Sequence, residues 1–137
     1  MTRRQVREAV VRLVYMSDFR EDQEALGFTL SQNGFCEDEE DDPMELRSKD
    51  RDEIEGKARL VIGKKKELDD LIAQKAEGWK PQRIPKVDLS IIRVALYEVL
   101  FQNLDKGIAI NEAIEIAKKY GDANSGSFVN GILARII

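Results

Sequence analysis

The sequence holds no histidine, one cysteine and one tryptophan among 137 residues. Without histidine the chain lacks the side chain whose ordinary pKa suits proton transfer at neutral pH. With Cys36 as the lone thiol, a Cys/His zinc site or a Cys–His nucleophile pair is not expected. One cysteine also excludes an intramolecular disulfide and suits a reducing cytoplasm. No apolar run approaches the roughly 20 residues of a membrane span, and the N-terminal arginines are not followed by the apolar stretch of a secretory signal. Neither a Walker loop nor a GxGxxG phosphate cradle occurs. Carboxylates are plentiful, yet nothing marks two of them as an acid/base pair. The expectation is therefore a protein that is not an enzyme and carries no cofactor and no metal.

Charge is abundant but unevenly spread. The formal net charge is −4. Residues 1–17 hold Arg3, Arg4, Arg7 and Arg12 against Glu8, which is +3. Residues 18–55 hold 4 basic and 15 acidic residues, which is −11, and residues 56–137 return to +4. One segment supplies the whole negative excess. An anionic partner is thus compatible with a low isoelectric point, because the local field steers binding.

The apolar pattern is helical throughout, with no alternating stretch of useful length. Val6, Ala9, Val10, Leu13 and Val14 form one stripe over about Arg4–Phe19, with Arg4, Arg7, Val11 and Tyr15 on another side. A weaker helix is expected over 22–30. Asn33-Gly34 then signals a turn, and the six acids from Glu37 to Asp42, ended by Pro43, read as a solvated loop over about 33–47. A long helical pattern over 50–77 places Ile54, Ala58, Val61, Leu68, Leu71 and Ile72 on one face, with a kink or break at Gly63. "GWKPQRIPKV" follows, and its two prolines read as a linker at about 78–87 between an N-terminal half (1–77) and a C-terminal half (88–137).

Asp88 then reads as the N-cap of a strongly apolar, central helix, "LSIIRVALYEVLFQNL". Its Ser90, Arg93 and Tyr97 form a narrow polar strip that would meet solvent or a partner. A further helix is expected over 111–120, capped by Asn111 and stopped at Gly121. A last helix would turn Phe128, Val129, Ile132, Leu133 and Ile136 to the core.

"VDLSIIRVALYEVLF", "IAINEAIEIAKKYG" and "SGSFVNGIL" occur in that order, after an opening "RRQVREAVVRLVY". This series resembles the transcription antitermination protein NusB family, specifically over 84–137, clearly over 3–15 and weakly from 20 to 60. The resemblance implies an all-α bundle of about seven helices in two subdomains. It implies binding of single-stranded boxA-type RNA in ribosomal RNA leaders, with the small-subunit ribosomal protein that acts as NusE. It also implies entry into the elongating RNA polymerase complex in the cytoplasm, and no membrane association. Two other functions stay open: a helical RNA-binding accessory domain, against which the absence of a following cofactor domain argues, and a homodimerisation module.

Within that resemblance, the RNA-binding candidates are Arg3, Arg4, Arg7, Tyr15, Asn124, Ser125 and Phe128. Arginine forks pair with phosphate oxygens, and an aromatic beside them is a base-stacking platform. The arginines could equally only solubilise a terminal helix, and Phe128 could be core. Asn124 and Ser125 would offer polar groups and helix N-terminal amides to a phosphate, or simply cap the helix. Family members commonly carry an acid where Asn124 stands. Asp88 matches an acidic family position and is the candidate for partner binding beside its capping role.

Overall fold

The computed structural model describes residues 1–19 and 48–137. The expected helix at 22–30, the acidic run Glu37–Asp42 and Cys36 lie outside the described residues. Among those described there are six α-helices, one 3-10 turn and no strand, so the chain is all-α as the pattern predicts. No helix of the described residues is long and apolar enough to cross a membrane.

The helices fall into two compact units, Met1–Ile62 and Gly63–Ile137. The first contains α1 (Arg3–Ser17) and α2 (Ser48–Gly63). A capping box starts α1: Thr2 Oγ1 accepts from the Gln5 amide at 3.1 Å while Gln5 Oε1 accepts from the Thr2 amide at 2.8 Å. All five residues of the predicted stripe are buried. Val11 is buried as well, so the inward face of α1 is wider than the stripe and takes in a position on the side of Arg4 and Arg7. On α2, Ile54, Ala58 and Val61 are buried at the predicted spacing. Arg3 reaches Glu53 at 3.0 Å and the N-terminal amine reaches Asp50 at 3.7 Å, tying the head of α1 to α2.

The helical pattern does break after Gly63. Lys64 leaves helical geometry (φ −103°, ψ 7°), and α3 (Lys65–Lys75) begins a new unit. Residues assigned from sequence to the N-terminal half therefore pack with the C-terminal helices. Leu68 and Ile72 of α3 are buried, whereas Leu71 is only half-buried. Residues 78–87 form a folded corner: Gly78 turns the chain at φ +82°, Pro81–Arg83 make a 3-10 turn, and Pro81 and Ile84 are buried.

Helix α4 (Lys86–Gln102) is the centre of this unit and packs on α3, α5 (Lys106–Tyr120) and α6 (Ser125–Ile136). Every residue from Asp88 to Glu98 is buried. The polar strip is buried too, which corrects its assignment to solvent or a partner. Ser90 Oγ donates to the Lys86 carbonyl at 2.8 Å, and Arg93 grips Asp69 of α3 with two hydrogen bonds of 2.8 and 2.7 Å. Tyr97 stacks on Phe101. The reason is that α3 brings its own carboxylate to this face, so the strip faces a neighbour. Leu100 and Phe101, at the end of this strongly apolar helix, are 47% and 46% exposed.

Two caps also differ from the sequence reading. Helix α4 starts at Lys86 with Pro85 as N-cap, so Asp88 is the third helical residue. Helix α5 starts five residues before Asn111, where Asp105 accepts from the Ile108 amide at 3.2 Å. Gly121 does end α5, in an extended conformation, with its amide on the Ala117 carbonyl.

Candidate nucleic-acid interface

In the first unit the candidates ride on α1. Arg3 and Arg4 are exposed and Arg7 is half-buried, all off the buried stripe. The Arg3 side chain is 85% exposed despite its contact with Glu53. Such a surface pair is weak and screened, so the guanidinium can exchange its carboxylate for a phosphate. Tyr15 is half-buried and meets Phe19 edge-to-face at 5.1 Å between ring centres. The face that begins with Arg4 and Arg7 turns inward at Val11 and emerges partly at Tyr15.

In the second unit Asn124, Ser125 and Phe128 sit at the head of α6. Asn124 is the N-cap residue but makes no side-chain cap hydrogen bond. Its amide donates to Asp122 Oδ1 at 2.8 Å, and its side chain is exposed. Ser125 is turned inward and 3% exposed, which corrects the expectation that its hydroxyl faces a phosphate. Its Oγ accepts from the Asp122 amide at 3.0 Å and lies 3.3 Å from Asp122 Oδ1.

Asp88 completes this cluster. It is buried at 4% exposure and hydrogen-bonded to Ser125. Pro85 explains why Asp88 does not cap its own helix: the N-cap residue has no N–H for a third-position carboxylate to reach. Burial pushes the Asp88 carboxyl above its ordinary value; the Ser125 hydrogen bond opposes this, and Asp122 adds to the rise. Ser125 has one hydroxyl hydrogen, and both the Asp122 and the Asp88 carboxyl groups lie against it.

The sign of the linkage follows. A folded state that holds the proton more tightly than the unfolded chain gains stability that is full below the ordinary carboxylate pKa. That gain is lost as pH rises through the raised folded value. Asp88→Asn keeps the shape and can donate to Ser125 at every pH. The variant is expected to melt at or above the wild-type temperature at neutral pH, with the difference shrinking or reversing towards acid. Melting curves across pH check this; a variant that melts lower at neutral pH and equal in acid would show a carboxylate stabilised in the fold.

Phe128 is half-buried, and its ring meets that of Trp79 edge-to-face at 4.8 Å. Trp79 lies in the stretch whose prolines suggest a linker, yet it is 39% exposed on a folded corner and stands beside Lys80 and Arg83, both exposed. The sequence did carry a signal: the chain's one tryptophan lies in a ten-residue stretch with Lys80, Arg83 and Lys86 and no acid.

Among the described residues no cluster of cysteine, aspartate or glutamate could hold a metal ion. The fold and these surfaces define a small all-helical protein with exposed arginines at the head of α1 in the first unit and, in the second, an exposed tryptophan beside exposed cations. The chain belongs to the NusB family, which it matches over residues 4–137. The transcription antitermination protein NusB of Agathobacter rectalis is 40% identical over 136 residues, covering 98% of each chain. The protein of that name from Ruminiclostridium cellulolyticum is 37% identical, over 99% of this chain and 88% of its own. The fold is similar to T. maritima NusB with a TM-score of 0.78 at 38% identity, over 99% of this chain and 90% of that one. It is also similar, at 19% identity and a TM-score of 0.78, to NusB in a crystal structure of antitermination factors NusB and NusE with double-stranded RNA; the match covers 98% of this chain and 94% of that one.

Proposed function

We propose that this chain is a transcription antitermination factor that acts by binding rather than catalysis. It takes single-stranded boxA-type RNA of ribosomal RNA leaders, together with the small-subunit ribosomal protein that acts as NusE. The complex joins elongating RNA polymerase in the cytoplasm. The observation that carries this reading is membership of the NusB family along nearly the whole chain. A related NusB crystallised with NusE and RNA supports both partner classes.

The residues fit these roles unequally. Arg3, Arg4 and Arg7 supply phosphate contacts, and Tyr15 and Phe128 supply partly open rings for bases. Asn124 offers an uncommitted amide at the head of α6, where an acid would repel phosphate. Ser125 and Asp88 act from inside, by fixing that helix end, and Asp88 does not touch a partner directly. The corner between α4 and α5 exposes Leu100, Phe101 and Ile108, with Lys64 Nζ 5.3 Å from the centre of the Phe101 ring. An apolar corner of this kind suits a protein partner better than RNA.

The test is Arg4→Ala combined with Arg7→Ala, both off the buried stripe. RNA affinity should fall for every single-stranded sequence tried, and the log–log salt slope should shrink by about 1.4 if each arginine meets one phosphate. The melting temperature should change little. Unchanged affinity and slope would make these arginines structural.

A further inference from the structure

We propose that the pocket at the corner between α3 and α4 is a nucleotide subsite, holding one RNA base on Trp79 and its flanking phosphates on Lys80 and Arg83. The inference rests on the RNA-binding reading above and extends it to residues which that reading does not use.

The corner is built to present side chains. Gly78 adopts φ +82°, a conformation that glycine takes without strain, and reverses the chain directly after α3. The Trp79 amide bonds the Ala76 carbonyl at 3.0 Å, and the Arg83 amide bonds the Lys80 carbonyl at 2.9 Å. Ala76, Pro81 and Ile84 are buried and pin the backbone, while Trp79, Lys80 and Arg83 stay outside. A tryptophan left 39% exposed on a pinned turn forgoes burial that folding would reward, and it is held in place by Phe128 at its edge.

The pocket has a volume of about 200 Å³ and is lined by Ala73, Gly78, Trp79, Lys80 and Arg83. That is below the roughly 300–1,000 Å³ of sites for drug-sized ligands and cofactors. It suits one planar ring, and the small residues Ala73 and Gly78 leave room for a flat group to approach. The charge is of one sign. Arg3, Arg59, Lys64 and Lys118 each reach a carboxylate, whereas Lys80 and Arg83 reach none among the described residues. An aromatic flanked by two cations that meet no carboxylate among the described residues matches a base with phosphates on either side. Phe128 joins this pocket to the head of α6, where Asn124 lies one helical turn earlier.

Trp79 is the chain's only tryptophan, so its emission reports this pocket alone. The experiment titrates the full chain with a single-stranded boxA-type RNA and follows tryptophan fluorescence and, in parallel, gel mobility. Saturable quenching in step with the mobility shift is expected. Lys80→Ala with Arg83→Ala should weaken binding roughly tenfold or more and reduce the salt slope by about 1.4, with melting unchanged because both side chains are at the surface. A mobility shift with constant emission, and a double variant of wild-type affinity and slope, would overturn the subsite while leaving the RNA-binding reading intact. Emission that responds only to the ribosomal protein would make the pocket a protein contact and overturn it too. Failure of any single-stranded RNA to bind, with or without the ribosomal protein, would overturn both.

Discussion

Asp69→Ala is expected to destabilise the protein by about 3 kcal/mol, the low end of the range for stripping one partner from a buried ion pair. The low end applies because the Asp69 side chain keeps 25% of its exposure and some access to water, whereas that of Arg93 keeps 4%. The pair is bidentate, with hydrogen bonds of 2.8 and 2.7 Å, so the loss is of two charge-assisted bonds at once. What remains is a guanidinium inside the central helix that cannot shed its charge. For a chain of this size the melting temperature should fall by about 10 °C. Combining Arg93→Met with Asp69→Leu should restore most of the loss, since an apolar pair of similar volume needs no counter-charge. Denaturant titration of both variants checks this. A single variant within about 0.5 kcal/mol of wild type would show that water reaches the pair freely.

Gly121→Ala is the second large effect, at about 2–3 kcal/mol, the upper part of the range for overpacking. A Cβ at Gly121 would overlap Ser125 Oγ, lie 2.5 Å from Ser125 Cβ and lie 2.9 Å from the Ala117 carbonyl oxygen. None of these is the far end of a flexible side chain, so relief requires movement of backbone at the α5–α6 corner. The backbone dihedral is not the problem, because φ is −93° and any residue can adopt it. The requirement is closeness. Moving Ser125 also disturbs its bonds to Asp122 and Asp88, which hold the head of α6 and, with it, Asn124 and Phe128. RNA affinity should therefore fall together with stability. Ser125→Gly on the Gly121→Ala background should recover part of the stability by removing one of the two Cβ atoms. Calorimetry on the two variants measures this, and no recovery would place the conflict at Ala117 alone.

The buried stripe of α1 and the core residues of α2 and α6 were legible in the sequence because helical periodicity is a local signal. Val6 to Val14 span little more than two turns, and their spacing alone says which face is apolar. Gly63 and Gly121 were legible as stops for the same reason. Capping was less so. Asp88 and Asn111 have the right chemistry for an N-cap, but Pro85 and Asp105 took those positions, since caps depend on a turn geometry that several nearby residues can satisfy.

The sequence by itself determined the helical class, the family, the apolar faces and the arginine-rich head of α1. These follow from periodicity, motif order and composition, none of which needs a neighbour. The tertiary structure alone decided which polar residues are inside. Arg93 looked like a surface residue until α3 brought Asp69, 24 positions earlier, against it. Ser125 looked available to a ligand until Asp88 and Asp122 closed on its hydroxyl. Trp79 looked like part of a linker until Phe128 met its ring. The physical reason is the same each time. A polar or aromatic side chain takes its role from what covers it, and that partner comes from a distant helix whose approach no local pattern records.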